Sequence, residues 1–175
     1  MDLKKYIRSI QDYPKKGILF RDITTLIKDE VGFKESINQM SEILSKLNFD
    51  KIAAIESRGF IFASALSYKL SRSLILMRKK NKLPADKYSV DFELEYGKST
   101  LEMHKDSIKT NDNVIIVDDL IATGGTAEAG AKLVEKSGGK VCGFIFVINL
   151  FDLGGAKKLK DKGYKIHSLM KFPGH

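Results

Sequence analysis

Residues 114–126 read VIIVDDLIATGGT, and the fold class follows from them and their surroundings. Their first four residues, Val114 to Val117, are apolar and β-branched, which is typical of a parallel strand buried on both faces. A helix is predicted from Thr126 to Ser137, ended by the pair Gly138-Gly139, and a further buried strand from Val141 to Leu150. Strand, helix and strand in this order form a right-handed crossover unit. We therefore predict the α/β class, with a mainly parallel central sheet flanked by helices.

The segments before this stretch continue the same alternation. Apolar residues at three- and four-residue spacings predict an amphipathic helix from Phe33 to Leu47. A short buried strand is predicted at Lys51 to Ile55, a helix at Phe60 to Leu70 and another apolar strand at Ser73 to Met77. From Tyr88 to Leu94 apolar and polar residues alternate, which indicates a half-buried strand. Ligands of such folds bind at the carboxyl ends of the parallel strands.

Length and composition limit the class of protein. The 175 residues are 43% hydrophobic, so we predict one globular domain over residues 1–175 and exclude disorder as the main state. No apolar run is long enough to span a bilayer, the N-terminus does not resemble a secretory signal, and Cys142 is the only cysteine. We therefore expect a cytoplasmic protein that does not bind membranes.

The net charge of +8 favours an anionic ligand. Basic residues are spread along the chain, and neither zinc-finger spacing nor an aromatic-interleaved RNA-binding pattern occurs. We therefore expect a phosphorylated small molecule as the partner and no nucleic acid. The histidines His104, His167 and His175 are too far apart in sequence to suggest a metal site.

A pair of carboxylates and a glycine turn follow the strand at Val114 to Val117. Asp118 and Asp119 leave a buried strand, which is costly unless a donor or a cation lies near them. The Thr123–Thr126 turn opens a helix, and its glycines and threonine hydroxyls predict an anion cradle. Together they predict a ligand with a phosphate at one end and hydroxyls or a metal at the other, such as ribose 5-phosphate. An ordinary Asp-Asp turn with a threonine cap would explain neither the second carboxylate nor the glycine pair.

Residues 117–126 resemble the binding signature for phosphoribosyl pyrophosphate (PRPP) of type I phosphoribosyltransferases. Other segments resemble, in order, the adenine phosphoribosyltransferase family. They are residues 12–14, 17–23, 56–60, 78–84, 94–97 and 149–155. One departure is Lys16, where the family commonly has proline. The resemblance runs over nearly the whole chain.

This resemblance implies transfer of the phosphoribosyl group of PRPP to N9 of adenine, giving AMP and pyrophosphate in purine salvage. It implies a fold with a small base-binding hood and a flexible lid loop, Mg²⁺ as cofactor and a homodimer. Because Mg²⁺ dehydrates reluctantly, we expect PRPP oxygens and water to hold it and name no protein ligand.

The resemblance also assigns the ribose and phosphate contacts. Asp118 and Asp119 are the expected catalytic carboxylates at the ribose, and the 5-phosphate is expected at Ala122, Thr123, Gly124, Gly125 and Thr126. Pyrophosphate is expected at Ser57, Arg58 and Gly59, with help from Lys79 and Lys82. Arg58 could instead be an ordinary loop arginine, and the lysines a solvated run.

Adenine is expected at Leu19, Phe20, Arg21 and Leu150, with Phe20 stacking on the ring, although Phe20 taken alone would more often be a core residue. Glu95 is the expected general acid or base at adenine N7, its alternative being a surface carboxylate. Tyr96 is expected in a mobile lid that runs from about Pro84 to Thr100.

Three other functions stay open at this stage. A phosphoribosyltransferase for hypoxanthine or guanine would share the fold, but residues 19–23 and 94–97 argue against it. A PRPP-binding regulator of transcription would need a DNA-binding module for which 175 residues leave no room. A purely structural protein would have no use for the acidic pair and the phosphate loop.

Overall fold

A computed structural model of the chain describes residues 1–94 and 97–175. The strands are β1 (Arg8–Gln11), β2 (Leu19–Asp22), β3 (Lys51–Ile55), β4 (Ser73–Lys79), β5 (Lys87–Leu94), β6 (Gly97–His104), β7 (Asn113–Ile121), β8 (Lys140–Leu150) and β9 (Ile166–Phe172). The helices are α1 (Thr24–Ile27), α2 (Glu30–Ser45), α3 (Arg58–Leu70), α4 (Gly125–Lys136) and α5 (Gly155–Asp161). Short 3₁₀ turns lie at Leu3–Tyr6, Lys105–Ser107 and Phe151–Leu153.

The central sheet has seven strands in the order β5-β6-β4-β3-β7-β8-β9. The pairs β4-β3, β3-β7, β7-β8 and β8-β9 are parallel, while β6 is antiparallel to both β4 and β5. A separate two-stranded antiparallel sheet pairs β1 with β2. The predicted mainly parallel α/β architecture is confirmed.

Both faces of the sheet are covered, which explains the continuous apolar run in β7. Ile115 and Val117 point into the core on the side of α2 and α3, and Val114 and Ile116 into the core on the side of α4. All four side chains are fully buried. A strand that packs on both faces cannot alternate apolar with polar residues.

The predicted strands and helices are confirmed, with ends that differ by a few residues. The helix expected from Phe33 starts earlier, because the side chain of Asp29 caps it by accepting a hydrogen bond from the Gly32 N–H at 2.8 Å. The β1–β2 hairpin and the elements β6, α5 and β9 lacked a periodicity long enough to predict them. No helix among residues 1–94 and 97–175 is long and apolar enough to cross a membrane.

One strand boundary is corrected by the structure. The strand predicted to end at Val117 continues to Ile121, because β8 pairs with it as far as Asn149. Asp118 and Asp119 therefore lie within β7, not in the turn after it. Their backbone is held by the sheet ladder, which leaves the two side chains pointing in different directions.

Candidate active site

A cleft of about 870 Å³ opens at the carboxyl ends of β3, β7 and β8. Its lining comes from segments that are distant in sequence: residues 18–21, 55–58, 79, 92, 94, 99–101, 118–127, 150, 153 and 174–175. Its position agrees with the rule that open parallel sheets bind ligands at the carboxyl edge.

The acidic pair of β7 lies at the centre of the cleft lining. Asp119 is only 5% exposed, and its Oδ2 accepts a hydrogen bond from Arg58 Nε at 2.7 Å. Asp118 Oδ1 accepts one from the Asp119 N–H at 2.8 Å. Burial, and next to it the charge of Asp119, raise the pKa of Asp118 well above its ordinary value of 3.8. One carboxylate is thus neutralised by an arginine, while the other retains its proton to higher pH.

The connection from β3 into α3 carries Ser57, Arg58 and Gly59, of which Ser57 and Arg58 line the cleft. Gly59 lies behind that lining and has a packing role. A Cβ on Gly59 would lie 2.9 Å from Asp118 Oδ1 and 3.0 Å from the carbonyl oxygen of Val117. Glycine therefore lets the start of α3 approach β7 closely enough for Arg58 to reach Asp119.

The predicted phosphate loop forms the turn from β7 into α4, and all of Ala122–Thr126 lines the cleft. Gly124 has φ +84°, a left-handed conformation that favours glycine, and α4 starts at the next residue. Backbone N–H groups at the start of this twelve-residue helix can bind an anion.

A second glycine turn, which ends at Gly155, packs against the predicted phosphate loop. The Gly155 N–H donates to the Ala122 carbonyl at 3.0 Å, and a Cβ on Gly155 would lie 2.6 Å from the Gly124 nitrogen. On the other side, a Cβ on Gly125 would lie 2.9 Å from the carbonyl oxygen of Glu93. The loop is therefore packed between the start of α5 and the β5 strand, and side chains at these glycines would displace it.

Of the two lysines predicted to bind pyrophosphate, only one lines the cleft. Lys79, at the end of β4, lines the cleft, whereas Lys82 is exposed and lies outside its lining. The chain turns away after Lys79, since Asn81 has φ +64° and its N–H donates to Glu102 Oε2 at 3.0 Å. Lys82 is thus not brought to the other predicted pyrophosphate residues.

A carboxylate that sequence reasoning missed lies beside Lys79. Glu56 lines the cleft and accepts hydrogen bonds from Arg78 Nε and the Lys79 N–H, both at 3.0 Å. Burial acts to raise its pKa, but these hydrogen bonds outweigh burial, so the pKa of Glu56 lies below its ordinary value. Glu56 therefore stays ionised and orients the end of β4.

The predicted base-binding residues Leu19, Phe20, Arg21 and Leu150 all line one end of the cleft. Phe20 is half-buried and packs edge-on against Tyr13 at 5.2 Å between ring centroids, outside both core clusters. The guanidinium carbon of Arg58 lies 5.9 Å from the centre of the Phe20 ring. The same arginine therefore reaches the acidic pair and the aromatic wall.

Glu95 and Tyr96 fall outside the described residues, so their expected roles stay predictions. Residues close to them, Phe92, Leu94 and Ser99, line the cleft. The alternation in β5 already grouped Phe92 with Leu94 on one face and could have indicated their place. The predicted lid segment is largely the β5–β6 hairpin.

Three further lining residues, Leu153, Gly174 and His175, were missed as well. They follow β8 and β9. No periodicity in the sequence predicts that the ends of these two strands lie beside β2. Only the strand order of the sheet brings them there.

Comparison with known proteins places this chain in a family. Residues 25–171 match the sequence model of the phosphoribosyl transferase domain. The chain is 67% identical to the adenine phosphoribosyltransferase of Pelagibacter ubique over 175 residues, covering 100% of both.

Solved structures agree with the sequence match. The adenine phosphoribosyltransferase of Thermoanaerobacter pseudethanolicus is similar with a TM-score of 0.93 and 50% identity, covering 97% of this chain and 98% of that one. The enzyme of Saccharomyces cerevisiae, solved with adenine and D-2,5-dideoxy-2,5-imino-altritol 1,6-bisphosphate, is similar with a TM-score of 0.89 and 34% identity, over 96% of both chains.

The raised pKa of Asp118 leads to a stability prediction. Ionised Asp118 disfavours the ligand-free fold, so the wild-type free energy of unfolding loses a contribution as pH rises from about 4 through the raised pKa. Asp118→Asn keeps the Oδ1 acceptor and removes the charge. We expect it to raise the free energy of unfolding by about 1–3 kcal/mol at pH 8 and by less at pH 5, measured by urea unfolding without ligands.

A surface carboxylate provides the control. Asp161 is 61% exposed and pairs with the exposed Lys157, so Asp161→Asn should cause no measurable change at either pH. A lower stability of Asp118→Asn at pH 8 would contradict the burial cost inferred for this carboxylate.

Proposed function

The chain belongs to the adenine phosphoribosyltransferase family, and we propose that the cleft at the carboxyl edge of its sheet is where it works. The activity is transfer of the phosphoribosyl group of PRPP to N9 of adenine, which yields AMP and pyrophosphate. One observation carries the assignment of the site: an anion cradle, an acidic pair, an arginine and an apolar slot line one continuous cleft.

The ribose 5-phosphate end is proposed at the β7–α4 turn. Ala122–Thr126 offers backbone N–H groups and threonine hydroxyls to the 5-phosphate, at a loop fixed by Gly155. Asp118 and Asp119 face the ribose hydroxyls in this proposal. Positive charge develops on the ribose ring as the bond at C1′ breaks, and carboxylates close to the ring stabilise that charge.

Ser57 and Arg58 are the proposed pyrophosphate groups, with Lys79 nearby. Arg58 contacts Asp119 through Nε, and among the described residues its two Nη groups have no hydrogen-bond partner. The Nη groups can therefore donate to pyrophosphate oxygens while the ion pair persists. Gly59 contributes through packing, and Lys82 could contribute only if the β4–β5 connection moves.

Mg²⁺ is the proposed cofactor, held mainly by PRPP oxygens and water. The cleft lining includes the carboxylates Glu56, Asp118 and Asp119, whose oxygens are of the type that Mg²⁺ prefers, but in the part of the chain that the structure describes no three such side chains converge to form a metal site by themselves. When bound, the ion neutralises charge on the departing pyrophosphate.

Adenine is proposed to lie between Phe20 and Leu150, with the backbone of Leu19 and Arg21 at its polar edge. The position of all four residues at one end of the cleft supports this proposal. So does the similar Saccharomyces cerevisiae enzyme, whose structure contains adenine. Glu95 is the proposed proton carrier at N7, and Tyr96 part of a closing lid that keeps water from PRPP.

The proposed functional unit is a single domain spanning residues 1–175. The central sheet with its two cores carries the residues proposed to bind phosphate and pyrophosphate. The β1–β2 sheet serves as the small base-binding hood. Because PRPP is a phosphorylated metabolite, we place the enzyme in the cytoplasm.

A homodimer is proposed on one apolar surface. Tyr68 on α3 is 92% exposed, and Ile61 on the same helix and Leu76 on β4 are each 40% exposed. Leu76 belongs to a strand inside the sheet, where such a side chain is usually covered. A second copy of the chain would bury these three side chains.

We expect the wild-type chain to sediment at about twice 19.6 kDa at micromolar concentration. Tyr68→Glu should weaken the dimer at least tenfold, because it places a charge in the apolar contact, as measured by analytical ultracentrifugation. Val31→Glu is the matched control, since Val31 is 48% exposed near the start of α2, away from this surface. A monomeric wild type, or equal behaviour of the two variants, would argue against this interface.

Pyrophosphate release from PRPP with Mg²⁺ tests the assigned residues. With adenine, hypoxanthine, guanine and orotate offered in parallel, we expect turnover with adenine alone. Asp118→Asn and Glu95→Gln should each lower kcat/KM by about a hundredfold, because one loses charge at the ribose and the other a proton carrier.

Glu93→Gln is the control for Glu95→Gln, since Glu93 is an exposed carboxylate of β5 that lies two residues before Glu95 in the sequence. We expect it to keep activity close to that of the wild type. Turnover with a different base would overturn the Phe20 slot, and an unaffected Glu95→Gln enzyme would remove Glu95 from the mechanism.

A further inference from the structure

Residues 172–175, the last residue of β9 and the three that follow it, form a short segment that reaches the base end of the cleft. We propose that this segment is a positioning element for adenine: it holds the two walls of the base slot at a fixed separation. The proposal rests on the function above, since it takes adenine to lie between Phe20 and Leu150. It concerns residues that the sequence analysis left without any role.

The sheet delivers the segment to this place. Phe172 is the last residue of β9 and pairs with Leu150, the last residue of β8. The chain therefore leaves the sheet beside one proposed wall of the slot. Gly174 and His175, which follow, line the cleft itself.

The segment binds the first wall, β2, through the side chain of Arg21. The Arg21 guanidinium carbon lies 4.7 Å from the centre of the Phe172 ring, and Nη2 donates to the carbonyl oxygen of Pro173 at 3.3 Å. Nη1 donates to Ser9 Oγ on β1 at 2.6 Å. The Arg21 guanidinium is thus held by Ser9 and the segment, directly after Phe20 in the chain.

The second wall, the turn after β8, is bound through Gly174. The Gly174 N–H donates to Asp152 Oδ1 at 2.6 Å. A Cβ on Gly174 would lie 2.6 Å from Leu153 Cγ and 2.9 Å from both of its methyl carbons. The segment is thus pressed against Leu153, a cleft residue, at a distance that only glycine permits.

These contacts connect two walls that come from opposite ends of the chain. A flat base is held well only if both faces of its slot keep the right spacing, and small displacements reduce productive binding. The segment contacts β2, the turn after β8 and, through Phe172, Lys4, whereas the 5-phosphate loop is held by Gly155 and β5. Disturbing the segment should therefore weaken adenine binding and spare PRPP binding.

The test compares steady-state constants of the whole chain and its variants. We expect Gly174→Ala and Asp152→Ala to raise the KM for adenine about tenfold, with kcat changed less than about threefold. The dissociation constant for Mg²⁺-PRPP, from calorimetry without adenine, should stay within about twofold of the wild-type value. Asp152→Asn keeps an acceptor for the Gly174 N–H and should restore most of the adenine KM.

Gly163→Ala controls for general destabilisation. Gly163 has φ +91°, so alanine strains the backbone there, but a Cβ would contact nothing within 4 Å and the residue lies outside the cleft lining. It should lower the melting temperature without changing the adenine KM. If Gly174→Ala is too unstable to assay, the pair Asp152→Ala and Asp152→Asn decides alone.

The outcomes separate this inference from the function on which it rests. A wild-type chain that releases no pyrophosphate with adenine would overturn the proposed function. An active wild type whose Asp152→Ala variant keeps its adenine KM within twofold would overturn the positioning role alone. So would equal losses in adenine KM and PRPP affinity, or equal KM values for Asp152→Ala and Asp152→Asn, because a general structural role predicts those results.

Discussion

The ion pair between Arg58 and Asp119 joins the two strand ends on which the site depends. Asp119 belongs to β7 and Arg58 to the start of α3, so the pair connects the proposed ribose end of the cleft with the proposed pyrophosphate end. It forms only because Gly59 lets α3 approach the backbone of Val117 and Asp118. Arg58 acts on the neighbouring Asp118 as well, but burial and the charge of Asp119 outweigh it and raise the pKa of Asp118. The charges of this site are therefore stabilised better when a cationic ribose occupies the cleft than when the cleft is empty.

The connection from β8 to α5 is a second constraint, because it serves both ends of the cleft. Gly155 supports the 5-phosphate loop through Gly124, while Leu150 and Leu153 belong to the base end. Since one short connection contacts both subsites, their separation is set by backbone packing. In the product AMP a single ribose joins the phosphate to the base, which limits the distance between them. A rigid connection here thus provides the preorganisation that the transfer requires.

Local patterns in the sequence predicted the parts of this protein that depend on local physics. The β-branched run at Val114–Val117 predicted a doubly buried strand, and Thr123–Thr126 predicted the glycine turn that opens α4, because burial and φ preference are local properties. The strand end at Ile121 escaped prediction, since pairing with β8 decides it. Lys82 was expected at the pyrophosphate end, but the turn at Asn81 carries it elsewhere. Gly174 lines the cleft only because β9 pairs with β8, a contact between distant segments that no periodicity encodes.

A crystal structure with AMP bound would test most directly that one cleft holds the phosphate and the base at these two ends. We expect the phosphate of AMP within hydrogen-bond distance of backbone N–H groups of Thr123–Thr126 and the adenine ring between Phe20 and Leu150. AMP bound outside the cleft, or with its base away from Phe20, would contradict the assignment of the two ends.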